Sequence, residues 1–280
     1  MLAGSRIRKG SGRFPDMTEY LRIDRSGAVA HITLTRAEKH NAFDGALIAE
    51  LRAAFRAVAV DTKSCVVVLD ADGKSFSAGA DLNWMRESAT YAEAENRADA
   101  EKLAAMLRAL DTMPKPTIAA VQGPAYGGGV GLIAACDIAV GSDAAIFALS
   151  EVKLGLIPAV ISPYVVRAMG MRRARRYALT GERFDAHAAL ESGLLHEIVP
   201  AANLDARVAA LATLLCEAAP GAQATVKALL RTVENRPIDH ALNAETARWI
   251  AKARSGDEAR EGIAAFLERR RPRWSDDGKR

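Results

Sequence analysis

Pro124-Ala-Tyr-Gly-Gly-Gly-Val-Gly-Leu-Ile-Ala-Ala-Cys-Asp137 places four glycines, Gly127, Gly128, Gly129 and Gly131, ahead of an alanine- and leucine-rich run. A helix that starts without side chains lets a ligand approach its backbone. Its first N–H groups lack intrahelical acceptors, and the positive end of the helix dipole faces the ligand. Such a start can hold a phosphate or stabilise an oxyanion formed during a reaction. The flanking sequence has to decide between them.

Around this run the pattern is α/β. Tyr20 to Thr35 alternates about Ser26-Gly27 and predicts a hairpin. Asn41 to Val60 sets Leu47, Ile48, Leu51, Phe55 and Val58 on one helical face. Cys65 to Leu69 and Thr117 to Val121 are short, wholly apolar runs, as expected of buried strands. Arg97 to Leu110 predicts a helix, and Ile138 to Val140 and Ile146 to Leu149 predict two more strands. The order β-β-α-β-α-β-α-β-β calls for parallel strands joined by crossovers. Beyond Leu156 the chain turns helical: Ser162-Pro163 reads as an N-cap followed by proline, and Asp185 and Gly193 bracket a further helix. The expected organisation is a basic leader at 1–16, an α/β core at 17–205 and a helical region at 206–280.

Composition excludes several classes. The 280 residues carry a net charge of +4, which Arg6, Arg8, Lys9 and Arg13 within residues 1–15 supply alone. The rest is balanced, so a nucleic-acid partner is not expected. No apolar run approaches the ~20 residues of a membrane span, and the leader lacks the apolar segment of a secretory signal. Cys65, Cys136 and Cys216 are far apart in apolar runs and read as buried thiols of a reducing, cytoplasmic setting with no disulfide framework. No spacing of His, Cys or acidic residues suggests a metal site.

Two chemistries fit the glycine run. Gly129-x-Gly131-x-x-Ala134 follows a strand and matches a relaxed dinucleotide fingerprint, with Asp143 or Glu151 near the offset of a ribose-binding acid. Against it, the loop from Val121 to Gly129 is long for that turn. The alternative is chemistry at a thioester, which needs two backbone donors converging on one oxygen and a carboxylate near the α-carbon. A second loop, Ser75-Phe-Ser-Ala-Gly-Ala-Asp81, follows a buried strand and offers the second donor. Glu151, just after the strand at 146–149, offers the carboxylate.

Taken together, these segments resemble the crotonase, or enoyl-CoA hydratase/isomerase, family. The matching pieces are Arg36-Ala-Glu-Lys-His-Asn-Ala42, Phe76-Ser-Ala-Gly-Ala-Asp81, Ala125-Tyr-Gly-Gly-Gly129, Cys136-Asp137, Phe147-Ala-Leu-Ser-Glu-Val-Lys-Leu-Gly-Leu-Ile-Pro158 and Glu261-Gly-Ile-Ala-Ala-Phe-Leu-Glu-Arg269. The resemblance spans about Thr18 to Trp274. It implies a spiral of ββα units with a C-terminal all-helical trimerisation region, assembled as a homotrimer or a dimer of trimers. It implies an acyl-CoA thioester substrate and no separate cofactor, coenzyme A being part of the substrate. The thioester oxygen would lie between the N–H groups of Ala80 and Gly128, with Glu151 as the acid/base. Lys39, Ala42, Ala78, Asp81, Leu82, Asn83, Gly127 and Gly131 would line the substrate. Phe266 and Arg269 would approach it from a neighbouring subunit.

One position departs from the family pattern. Typical hydratases carry two glutamates; the second matches Glu151, but the first falls on Gly131. Single-acid members are often Δ3-Δ2 enoyl-CoA isomerases. The runs Gly129-Val-Gly-Leu-Ile-Ala-Ala-Cys-Asp137 and Ile157-Pro-Ala-Val-Ile-Ser-Pro163 look most like bacterial methylglutaconyl-CoA hydratases of leucine or terpene breakdown. The glycine at 131 is expected to leave space in the acyl pocket. A distal substrate carboxylate would need a cation, for which Arg86, Lys153 and Arg167 are candidates. Asp137 reads as a structural helix-end acid and Tyr126 as loop packing. Trp84 reads equally as packing or as a wall of the acyl site. His31, His40, His187, His196 and His240 receive no catalytic role. A missing acid also suits a non-catalytic acyl-CoA-binding or scaffold member.

Overall fold

The computed structural model describes residues 19–275; the expected basic leader lies outside them. The predicted hairpin forms as β1 (Leu21–Ser26) and β2 (Val29–Leu34), turning at Gly27. Helix α1 (Gly45–Val60) starts later than its apolar pattern suggests, because the Asp44 carboxylate accepts from the Leu47 N–H and caps it there. Leu47, Ile48, Leu51, Phe55 and Val58 form its buried face. At its other end the Lys115 ammonium donates to the Val58 and Asp61 carbonyls and to the Ser64 hydroxyl, a cation at the negative end of the helix.

Then follow β3 (Val66–Ala71), α2 (Leu82–Ser88), α3 (Glu93–Asp111) and β4 (Thr117–Val121). The short strand β5 (Ala125–Tyr126) leads into α4 (Gly128–Ala135), β6 (Ile138–Ser142) and β7 (Ile146–Ala148). Beyond them come α5 (Ser162–Thr180), β8 (Arg183–Asp185), α6 (Ala186–Ser192), β9 (Glu197–Val199) and α7 (Leu204–Cys216). Helices α8 (Pro220–Val233), α9 (His240–Arg254) and α10 (Asp257–Leu267) complete the chain.

The main sheet runs β1-β2-β3-β4-β6-β9, parallel from β2 onward. Its order never reverses, so it has no switch-point crevice of the kind that holds a dinucleotide. That rules out the dinucleotide reading of the glycine run. Both faces are covered. Val67 and Leu69 of β3 join the core with α1, α3 and α4, while Val66 and Val68 pack with Val208 and Leu211 of α7. This double burial is why the strand reads as an unbroken apolar run. The expected division at 205 falls inside α7, which packs on this sheet.

A second, narrower layer follows the main strands one by one. Phe43, after β2, bridges Ala80, after β3; Ser77 bridges Ala125 of β5; β5 pairs with β7 and β7 with β8. Long strand, short strand and helix thus repeat as a spiral, and each turn delivers one loop to the same edge of the second layer.

The N-cap expected at Ser162 lies one residue earlier. Ser162 is already the first residue of α5, its hydroxyl donates to the Ala159 carbonyl, and Ile161 precedes the helix. Asp185 and Gly193 bracket α6 as predicted: the Asp185 carboxylate accepts from Ala188 N–H and Gly193 ends the helix in the left-handed region. The helical region is tied to the spiral by Lys227, which donates to the Lys115 carbonyl and to Asp137. No helix among the described residues is long and apolar enough to cross a membrane.

Candidate active site

The loop 75–81 and the start of α4 meet at glycines. A Cβ on Gly79 would stand 2.9 Å from the Tyr126 carbonyl oxygen, and one on Gly129 would stand 2.8 Å from the Ser77 carbonyl oxygen. No side chain fits either approach, so the two backbones lie directly against each other. Behind the loop, Asn41 adopts a left-handed φ of 54°, a conformation asparagine tolerates. Its Nδ2 donates to the Asp72 and Ser75 carbonyls, and Ser77 Oγ donates back to the Asn41 carbonyl.

The backbone donors face outward. Phe43 N–H donates to the Gly79 carbonyl and Asp81 N–H to the Phe43 carbonyl, a parallel bridge that leaves the Ala80 N–H between them unused. Gly128 is the first residue of α4, so its N–H has no intrahelical acceptor. Neither N–H finds a protein acceptor among the described residues. Ala80 is exposed and Gly128 half-buried, which leaves both open to a ligand.

Glu151 opens a short 3-10 turn (Glu151–Leu154) directly after β7 and Leu149. Its carboxylate lies over the start of α4: a Cβ on Gly127 would be 2.9 Å from Glu151 Oε1. Gly127 has φ 48° and ψ −114°, a conformation that only glycine adopts without strain. Glu151 Oε2 is buried and has no hydrogen-bond partner. Burial pushes the carboxyl above its ordinary value, against a smaller opposing pull from its own backbone N–H. A carboxyl in that state is suited to taking up and returning a proton.

The remaining predicted residues sort by position. Asp81 is buried and committed to the protein: its Oδ1 caps α2 through the Asn83 and Trp84 N–H groups, and its Oδ2 faces Arg36 at 3.4 Å and Lys39 at 3.6 Å. Lys39 is half-exposed beside this loop, Ala78 is half-buried and Ala42 is buried beneath it, while Leu82 and Asn83 are exposed at the start of α2. Phe266, 82 % exposed, and Arg269, exposed just after α10, stand open to solvent in their own chain.

Trp84 packs against the core, and its indole N–H donates to Asp99. The Tyr126 ring sits 5.7 Å from the Arg183 guanidinium. Asp137 accepts from the Thr117 N–H and hydroxyl and so ties β4 to the end of α4. Arg167 pairs with Asp111, Arg86 donates to Asn83 Oδ1, and the Lys153 stem lies over Gly181. His40 Nδ1 meets Ser75 Oγ and His196 Nδ1 accepts from Ala139 N–H, both local roles.

The space expected at Gly131 is not open. A Cβ there would stand 2.3 Å from Ile161 Cγ2 and 2.9 Å from Ile161 Cβ. Ile161, 30 residues downstream, fills the volume that the family's first glutamate would need. Sequence reading missed it, because only the fold brings the residue before α5 against α4. Asn41 and Arg36 belong to the segments that carry the resemblance, but only the fold shows what they hold in place.

Comparison with known proteins agrees with this geometry. The family model for enoyl-CoA hydratase/isomerase matches residues 24–277. The crystal structure of an enoyl-CoA hydratase from Shewanella pealeana superposes with a TM-score of 0.90 at 47 % identity, covering 92 % of this chain and 96 % of that one. An enoyl-CoA hydratase from Alternaria alternata is 36 % identical over 258 residues, 90 % of this chain and 83 % of its own. A mevalonyl-coenzyme A hydratase from Aspergillus fumigatus is 34 % identical over 246 residues, 87 % of this chain and 90 % of its own. With its spiral of paired layers and a model match over nearly its whole described length, the chain belongs to the enoyl-CoA hydratase/isomerase, or crotonase, family of enzymes.

Proposed function

We infer that the protein hydrates an α,β-unsaturated acyl-CoA. The observation that carries this reading is the Glu151 carboxyl, half-buried with a free oxygen, set against the start of α4 beside unpaired N–H groups. In the reaction the thioester oxygen accepts from Ala80 N–H and Gly128 N–H. Glu151 takes a proton from water as the hydroxyl adds to C3, and the electron pair moves to the thioester oxygen as an enolate. The same proton then passes from Glu151 to C2. Losing one such oxyanion donor costs about 2.7–4 kcal/mol of transition-state stabilisation. Lys39, at the loop edge, reads as a partner for the phosphates of coenzyme A, and Ala42, Ala78, Leu82 and Asn83 as its track.

A second reading is supported by Gly131, closed in by Ile161, which leaves Glu151 without a second acid at residue 131. A lone carboxyl suffices for Δ3-Δ2 isomerisation, removing a proton from C2 and returning it to C4. For hydration, a methylglutaconyl thioester remains the specific substrate suggested by the sequence runs around Gly131 and Pro158. A homotrimer or dimer of trimers is supported by the exposed apolar residues of the helical region, among them Leu230, Ile250, Ile263 and Phe266. The three cysteines are free, which is in keeping with a cytoplasmic setting, although only Cys65 is buried and Cys136 and Cys216 are half-buried.

The test is turnover of straight, branched and dicarboxylic enoyl-CoAs followed by loss of the conjugated thioester absorbance. Δ3-enoyl-CoAs, followed by its gain, test isomerisation. Silence with every substrate would leave only a binding or scaffold role.

A further inference from the structure

Behind Ile161 lies a largely apolar cavity of about 230 Å³, lined by Leu149, Pro158, Val165, Ala174 and Ala178 and open to solvent past the exposed Met171 and Leu179, between the turn after Glu151 and the two halves of α5. Helix α5 bends around it at Gly170, where the backbone leaves the helical region. Ile161 is shared: it lines this cavity and its Cγ2 also presses on Gly131 of α4.

The glycines of α4 give the direction. Gly131 N–H donates to the Gly127 carbonyl, so the two residues stand one turn apart on one helix face. Glu151 lies against the first and Ile161 against the second. One helical pitch, about 5.4 Å, therefore separates the proposed acid/base from the isoleucine along α4. On the near side of Ile161 is the reacting end of the site, and on the far side is unfilled apolar space.

Resting on the hydratase/isomerase reading of that site, we propose that Ile161 sets acyl-chain length, as the partition between the reacting centre and this cavity. With isoleucine in place the acyl group is short. With the side chain cut back the cavity joins the site and takes several more methylenes. The group that enters it is an aliphatic acyl chain, because apart from Ser162 and Arg175 the lining is apolar and gains by covering methylenes.

The experiment compares wild type, Ile161→Ala, the milder Ile161→Val, and Val165→Ala as a control that lines the cavity without pressing on Gly131. Binding of saturated butanoyl-CoA and octanoyl-CoA is measured by calorimetry, and turnover of the matching enoyl-CoAs by absorbance. Ile161→Ala is expected to raise the preference for the eight-carbon over the four-carbon acyl group by about tenfold or more. Ile161→Val should shift it in the same direction by less, and Val165→Ala should leave it unchanged. An unchanged preference in folded Ile161→Val or Ile161→Ala overturns the proposal, as does an equal shift in Val165→Ala. Because binding reports independently of turnover, a wild type that turns over nothing defeats the hydratase/isomerase reading while the chain-length series still decides this one.

Discussion

Gly127 and Glu151 are in contact over the start of α4, with only 2.9 Å between Glu151 Oε1 and the point where Gly127 would carry a Cβ. The contact also depends on a left-handed turn at Gly127. Gly127→Ala therefore meets two penalties, backbone strain of about 1–3 kcal/mol and displacement of the carboxylate. A misplacement of about 1 Å can cost ~10² in rate. The expected result is a modest fall in melting temperature with a much larger loss of kcat. Activity retained within a few-fold would mean that the Glu151 position is not critical.

Glu151→Gln keeps the shape and removes the titrating group. Turnover should fall by ~10²–10⁴-fold while acyl-CoA binding persists. Measuring kcat beside a calorimetric Kd separates the two, and a variant that keeps most of its turnover sinks the acid/base assignment.

The pH dependence follows from burial of Glu151. Its folded-state pKa is raised above the ordinary 4.5. The native state therefore holds its proton where the unfolded chain has released it. This contribution to stability is fully present below the ordinary value and is lost as pH rises through the folded pKa. Relative to Glu151→Gln, wild type should be most stable below pH 4.5 and lose ground as pH rises. The acid limb of kcat/KM should likewise lie above the usual glutamate range. Parallel pH–stability curves for the two proteins would contradict it.

Much of this fold was legible because the chain is locally consistent. The run Cys65–Leu69 is unbroken because both faces of β3 are covered, and the face of α1 repeats at helical spacing. Less legible were α2, seven residues with no buried side chain, and β5, β8 and β9, two or three residues each, whose pairing comes from the spiral and not from their own pattern. At the site, the glycine run and Glu151 stand out through their order along the chain. Ile161 does not, since an isoleucine before a helix reads as ordinary core. The open space expected at Gly131 is not there, because Ile161 fills it.

Asp81 shows how the loop 75–81 is held. Burial alone would raise its carboxyl; the Asn83 and Trp84 N–H groups, with Lys39 and Arg36, outweigh that and hold it below the usual range. Asp81→Ala removes the cap of α2, worth about 0.5–2 kcal/mol by itself, and leaves the buried Arg36 with one carboxylate fewer. Both the melting temperature and kcat should fall, because Ala80 immediately precedes the lost anchor. Asp81→Asn keeps an acceptor for the two N–H groups and should recover part of the stability. If Asp81→Ala keeps full activity, the loop is held by Asn41 and Ser77 alone.

The C-terminal segment is clasped to α10 by one acid. Glu261 accepts from Arg270 through both oxygens, at 2.6 and 3.2 Å, and from the Arg273 backbone N–H at 2.9 Å. The Arg270 guanidinium, followed by the Arg273 N–H, outweighs burial and holds the carboxyl down at about 2. Trp274 completes the clasp, its indole N–H donating to the Glu217 carbonyl while its ring covers Gly262. A depressed acid contributes stability that is fully present above its ordinary 4.5 and is lost as pH falls toward about 2. Glu261→Gln should therefore release the segment 268–275 at neutral pH, read as faster amide exchange there, with the exchange of β3 and β4 unchanged. Wild type should show the same local release only in strong acid. Because Phe266 and Arg269 lie between the clasping residues Glu261 and Arg270 along the chain, the variant should also weaken any self-association that uses them, read by sedimentation. Unchanged exchange in 268–275 at neutral pH would show that Trp274, and not Glu261, holds the segment down.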